Sequence, residues 1–88
     1  MYDIKIYGND KWQACIMLKE DLSKKNINYE YINILESMAN LKEYLYFRDN
    51  NELFDEYKAN QKLGIPLVVV KSYNETKLFI ERHKADFI

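Results

Sequence analysis

Alternation of apolar and polar side chains opens the chain and then gives way to a helical pattern. Residues 2–7 alternate in this way, which predicts a strand with one apolar face. Gly8 and the two residues after it favour a turn, and a helix is then predicted from about residue 12 to 25. Its apolar residues lie within about 100° of arc, as in a helix that faces a protein core. This stripe consists of Ala14, Cys15, Leu18 and Leu22.

The pattern then repeats the order of a strand followed by a helix. Residues 28–34 are rich in aromatic and β-branched side chains and predict a second strand. Ser37 is a suitable N-cap for a second helix, whose apolar residues recur at i, i+3 and i+7. They are Met38, Leu41 and Leu45. After polar residues 49–51, a short helix is predicted from residue 52, with three side chains facing inward. These are Leu53, Phe54 and Tyr57.

A glycine and a proline separate the helical region from two final strands. Gly64-Ile65-Pro66 ends the helix, and residues 67–71 are a continuous apolar run typical of a strand covered on both faces. Residues 72–75 predict a turn, and residues 76–81 predict a fourth strand that forms a hairpin with the third. The order predicts an α/β architecture in which the first two strands pair in parallel.

Composition narrows the class of protein. The 88 residues suffice for one domain, 1–88, and the hydrophobic content of 48% excludes a disordered tail. Thirteen basic against 14 acidic residues give a net charge of −1, which offers no attraction for nucleic acid or an anionic membrane. No apolar run of about 18 residues and no signal-peptide pattern occur, so we expect a cytoplasmic protein. One cysteine and one histidine predict neither a disulfide nor a metal site.

Several segments, taken in order, resemble the glutaredoxin-related branch of the thioredoxin-like superfamily. They are Tyr7-Gly8, Cys15 with Lys19-Glu20-Asp21-Leu22, residues 28–34, Asn40-Leu41-Lys42-Glu43 with Arg48-Asp49, and Gly64-Ile65-Pro66. The resemblance covers about residues 2–81. It implies a thioredoxin-like fold, with a four-stranded mixed sheet, helices on both faces and a cis bond before Pro66.

The nucleophile of this family is missing from the chain. Family members attack with the first cysteine of a Cys-Pro-x-Cys motif, whose thiol is activated by the start of the first helix. The aligned residues here are Trp12-Gln13-Ala14-Cys15, so only the second sulfur remains. The family's Gly-Gly-x-Asp glutathione-binding segment and third helix have no counterpart in residues 76–88. We therefore expect a third helix that is short or absent, with Phe87 and Ile88 as anchors, or a self-association surface in its place.

The residues that the resemblance singles out each have two interpretations. Cys15 is either a thiol that forms mixed disulfides near a helix start or a small buried hydrophobic residue. Trp12 either offers an interaction surface or closes the vacated pocket. The resemblance assigns Trp12, Gln13, Ile65 and Pro66 to a ligand-binding groove, and it implies glutathione or a partner protein as the ligand.

Three functions stay open for such a degenerate glutaredoxin. The favoured one is a non-catalytic binding module that keeps the groove around Pro66 and Trp12, because the nucleophile is gone. The second is a redox protein that uses Cys15 alone, with glutathione or a partner thiol. The third is a structural role in which a sheet edge or an uncovered face makes a homodimer of an otherwise monomeric chain.

Overall fold

A mixed four-stranded sheet with helices on both faces makes up the fold. The computed structural model describes residues 3–85. The elements in chain order are β1 (Asp3–Gly8), α1 (Gln13–Lys24), β2 (Glu30–Asn33), α2 (Met38–Asp49), a 3-10 turn (Glu52–Phe54), α3 (Asp55–Ala59), β3 (Leu67–Lys71) and β4 (Thr76–Ile80). The strand order is β2-β1-β3-β4. As the sequence predicts, β1 pairs in parallel with β2 and β3 pairs in antiparallel with β4; β1 also pairs in antiparallel with β3.

β3 buries both of its faces, whereas β1 buries one face and, on the other, only Tyr7, since Asp3 is exposed and Lys5 is half-buried. One face packs against α1, and its buried side chains are Ile4, Ile6, Leu18, Leu22, Val68 and Val70. The opposite face packs against α2 and the 3-10 turn, and its buried side chains include Tyr7, Tyr44, Phe54, Leu67 and Val69. The continuous apolar run of β3 is therefore explained, since alternate residues serve different layers.

The predicted stripe of α1 is confirmed, whereas that of α2 is wrong at its first member. Met38 is 66% exposed, and the buried residue of α2 is Tyr44. Tyr44 packs edge-on against Phe54 and donates a hydrogen bond from its hydroxyl to the carbonyl of Leu63. Met38 lies about 120° around the helix from Tyr44, so it cannot face the same core.

The start of α2 and the turn after it show one success and one error. Ser37 caps α2 as predicted, because its hydroxyl oxygen accepts a hydrogen bond from the Asn40 amide at 3.1 Å. Leu53, predicted to face inward, is 57% exposed. Its neighbour Phe54 takes the inward position, since successive residues of a 3-10 turn point about 120° apart.

Three strands differ from the prediction in their bounds, and one of them is β4, which ends at Ile80 rather than at residue 81. Gly8 belongs to β1, where it pairs with Asn33, rather than to the turn. β2 is shorter than residues 28–34, because only residues 30–33 pair with β1. Tyr2, predicted to begin the first strand, lies outside the described residues.

The chain after β4 crosses to α1 without forming a helix in residues 82–85. Glu81 ends the strand with a positive φ of 60°. Ala85 is buried with Leu18 and Leu22, its amide donates to Asp21 Oδ2 at 2.6 Å, and its carbonyl accepts from Lys25 Nζ at 3.2 Å. The prediction that Phe87 and Ile88 anchor a tail helix lies outside the described residues. Within residues 3–85, no helix is long and apolar enough to cross a membrane.

Candidate functional site

The residues singled out by the sequence lie at the end of the sheet where β1 finishes and β3 begins. The antiparallel register pairs Tyr7 with Leu67, so Gly8 and Pro66 come next to each other along these strands. The bond between Ile65 and Pro66 is cis. The loop from Gly8 then leads directly to Trp12 at the start of α1. The fold therefore places this loop and Pro66 together at the end of the sheet where β1 finishes.

Trp12 is the N-cap residue of α1, and its backbone rather than its side chain organises the helix start. Its amide donates to the Asn9 carbonyl at 3.0 Å, and its carbonyl accepts from the Cys15 amide at 3.1 Å. The side chain supplies no capping hydrogen bond and is 38% exposed. Gln13, the first residue of the helix, is also exposed. These two side chains face solvent at the start of α1.

Ile65 and Pro66 have a different environment from Trp12 and Gln13. Ile65 is 2% exposed and packs in the core on the α2 side of the sheet, and Pro66 is fully buried. A ligand at this end of the sheet would contact the exposed side chains of Trp12 and Gln13. The side chains of Ile65 and Pro66 are buried and would not be in reach of it.

Cys15 is sealed beneath the end of β1. The residue is 0% exposed, and a methyl group placed on Gly8 would lie only 2.7 Å from its Sγ. Burial raises the pKa of the Cys15 thiol, although hydrogen bonding with the Asn9 backbone and with the Tyr31 hydroxyl opposes that effect. A buried, protonated thiol is a poor nucleophile because exchange requires both thiolate and access.

A polar cluster beside Cys15 was missed by sequence reasoning. Tyr31 donates from its hydroxyl to Asp10 Oδ1 at 3.0 Å, and Lys19 Nζ lies 3.0 Å from the same oxygen. The Lys19 ammonium also stands 4.2 Å from the centroid of the Tyr31 ring. Hydrogen bonds from Lys19 and Tyr31 lower the pKa of Asp10. Burial, and then the hydrogen bond to Asp10, raise the pKa of Tyr31, so it stays a neutral donor.

Asparagine side chains fix the loop after β1 to the loop after β2. Asn9 is 6% exposed, its Nδ2 donates to Asn33 Oδ1 at 2.9 Å, and its Oδ1 accepts from the Lys11 amide at 2.9 Å. Asn40 Nδ2 donates to the Asn33 carbonyl at 3.0 Å. Asparagine in a turn was the available signal, but its partner 24 positions away was not visible in the sequence.

The residues at this edge do not fit a mixed disulfide with glutathione. Such a disulfide needs a sulfur that a second sulfur can reach, and the Cys15 side chain is fully buried. Residues 81–84, which follow β4, are Glu-Arg-His-Lys and contain no glycine. Among residues 3–85, no group of three or more histidine, cysteine, aspartate or glutamate side chains is arranged to hold a metal ion.

Comparison with known proteins gives one distant relative. A protein of Haemophilus influenzae described as uncharacterized is 36% identical over 50 residues, which cover 57% of this chain and 58% of that protein. The chain thus spans little more than half the length of this relative. No family model and no solved structure matches the chain.

The close approach of Gly8 to Cys15 predicts a specific coupling between the two residues. Gly8→Ala should destabilise the fold by about 1–3 kcal/mol, because the new methyl overpacks against Sγ. Cys15→Ala removes that sulfur, so the double variant should lose less stability than the sum of the single losses. Urea unfolding of the three variants measures this coupling. Additive losses would show that Sγ does not limit the space beside Gly8.

Burial of Cys15 predicts slow reaction with a thiol reagent. In the native protein, alkylation by iodoacetamide should be at least about a hundredfold slower than in denaturant, because the thiol reacts only when the fold opens. The midpoint of its pH profile should also lie above that of a free cysteine, since the pKa is raised. Mass spectrometry of quenched samples follows the reaction. Equal rates with and without denaturant would contradict the buried site.

Proposed function

We propose that this chain is a degenerate member of the glutaredoxin-related branch and acts as a non-catalytic binding module. One observation carries the proposal. Trp12 occupies the helix start where the resemblance to glutaredoxins places the nucleophile, and Trp12 is 38% exposed while Cys15 is 0% exposed. On this proposal the position carries an aromatic surface instead of a reactive group.

The topology supports the thioredoxin-like part of this proposal. The order β2-β1-β3-β4, with β1 and β2 parallel and a final antiparallel hairpin, is compatible with that fold. Pro66 stands directly before β3 with a cis bond, where the resemblance implies it. Helix α1 starts immediately after the aligned Trp12.

The proposed binding surface consists of Trp12, Gln13, Leu35 and Met38, and we call it the Trp12 surface. Leu35 is 56% exposed and Met38 is 66% exposed. Both follow β2, whose end is joined to the Trp12 loop through the bond between Asn9 and Asn33. Exposed tryptophan and methionine suit the recognition of an apolar partner segment, because they offer a large contact area.

The proposed loss of catalytic activity is tested by restoring the Cys-Pro-x-Cys motif at residues 12–15. The wild-type chain should show negligible glutathione-dependent reduction of a small mixed-disulfide substrate. Trp12→Cys combined with Gln13→Pro should gain activity, because the new thiol stands at the exposed start of α1. Gln13→Pro alone is the matched control. Wild-type turnover that Cys15→Ser abolishes would instead establish the redox function.

The Trp12 surface is tested with an apolar dye as the probe. The chain has a single tryptophan, so energy transfer from Trp12 to bound anilinonaphthalene sulfonate reports binding at this place. Leu35→Ser and Met38→Ser should each reduce the transfer at least about twofold, because each removes exposed apolar area. Tyr46→Ser is the matched control, since Tyr46 is 67% exposed on α2 outside the surface. Equal transfer in all variants would refute the surface.

A further inference from the structure

Glu81 is the residue at which the chain leaves the sheet and turns toward α1. Its amide donates to the Pro66 carbonyl at 2.9 Å, and its side chain hydrogen-bonds with Tyr57 on the α2 side of the sheet. The Arg82 guanidinium stands 5.2 Å from the centroid of the Phe79 ring, a contact that a long side chain can keep when its backbone moves. The φ of Glu81 is 60°, in the left-handed region, which costs more than extended backbone for a residue with a β-carbon. The end of β4 is therefore fixed, and the backbone is strained where the next segment begins.

An ion pair at the end of α1 holds the far end of this segment, residues 81–85, which we call the strap. Asp21 Oδ2 accepts from the Ala85 amide at 2.6 Å, and Lys25 Nζ donates to the Ala85 carbonyl at 3.2 Å. Lys25 Nζ also lies 3.2 Å from Asp21 Oδ2, so the two charges stay paired when the strap leaves. The backbone groups of residue 85 then bond to water instead. Release of the strap therefore costs only the net difference between these hydrogen bonds and those to water.

The apolar contact at the end of the strap is small. Ala85 is 5% exposed, and its methyl group packs beside Leu18 and Leu22. One methyl group buries much less apolar area than a leucine or phenylalanine side chain, and hydrophobic stabilisation scales with that area. His83 and Lys84 before it are exposed. The strap is therefore attached far more weakly than β4, from which it continues.

A cleft of about 170 Å³ runs between α1 and the strap. Met17, Glu20 and Lys24 line it from α1, and His83 and Lys84 line it from the strap. The strap forms one wall of this cleft, while its last residue packs into the apolar layer between α1 and the sheet. Movement of the strap would therefore open the cleft toward that layer.

We propose that the strap opens and closes over α1 while the sheet and the helices stay folded, with Glu81 as its hinge and the pair of Asp21 and Lys25 as its latch. Opening relieves the left-handed φ of Glu81 and uncovers the apolar side chains beneath Ala85. The strap thus controls entry from the cleft to the apolar layer. This device is independent of the Trp12 surface, because Trp12 lies at the start of α1 and the latch lies at its end.

Native-state hydrogen exchange of the full chain, followed by NMR, tests whether the strap opens by itself. The Ala85 amide should exchange at least about a hundredfold faster than the amides of β3, because β3 lies inside the sheet and opens only with it. Low concentrations of urea should accelerate exchange in β3 and leave that of Ala85 nearly unchanged, since opening of the strap exposes little surface.

Variants test the latch and the hinge separately. Asp21→Ala should accelerate exchange of the Ala85 amide at least about fivefold, because a charged acceptor is lost. Glu20→Ala is the matched control, since it removes the neighbouring exposed carboxylate, and it should have no effect. Glu81→Asn and Glu81→Val both remove the carboxylate that contacts Tyr57. Asparagine accepts a left-handed φ and valine does not, so Ala85 should exchange at least about fivefold faster in Glu81→Val than in Glu81→Asn.

Two results would overturn the proposal as a whole. Exchange of the Ala85 amide at the rate of β3, with the same dependence on urea, would show that the strap leaves only when the chain unfolds. Exchange as fast as in an unfolded peptide would show that the strap is never closed. Equal exchange in the two Glu81 variants would overturn the hinge, and an Asp21→Ala variant without effect would overturn the latch.

Discussion

Burial of β3 on both faces, together with Ile4, Ile6 and Tyr7 of β1, is the constraint that places every other element. Each of these strands sends alternate side chains into two separate apolar layers. One layer requires α1 as a cover, and the other requires α2 and Phe54. A chain of this size can exclude water from two layers only by packing its helices closely. The end of β1 consequently packs closely against the start of α1. This contact determines which side chains of the site are buried and which are exposed.

Close packing at that contact accounts for the chemical character of the site. A thiol that reacts must reach solvent. The Cys15 sulfur instead packs against the backbone of Gly8, which has no side chain and so leaves space for it. Asn9 holds the loop against the next loop, and Tyr31 and Asp10 lie beside the sulfur. The same packing that stabilises the central strands thus buries the Cys15 sulfur and leaves Trp12 as the exposed residue.

Local periodicity predicted the parts of the fold in which neighbours in sequence share one environment. The stripe of α1, the run of β3 and the hairpin were predicted because short windows contain their complete signal. Tyr44 was missed because its burial depends on Tyr7 and Phe54, far away in the chain. The bond from Tyr31 to Asp10 was missed for the same reason, since it joins residues 21 positions apart. Contacts between side chains that are far apart in the chain produce no periodic pattern in the sequence.

The segment that ends at Ala85 is held to α1 through its backbone, so its course depends little on which side chains it carries. Asp21 and Lys25, one helical turn apart, hold the amide and the carbonyl of residue 85, and these groups are common to nearly all amino acids. The side chains that position residues 81–85 therefore belong to α1 and its C-cap rather than to that segment itself. Position 85 needs only a side chain small enough to fit beside Leu18 and Leu22. Exposed residues 83 and 84 are free to diverge in evolution while the segment keeps its course.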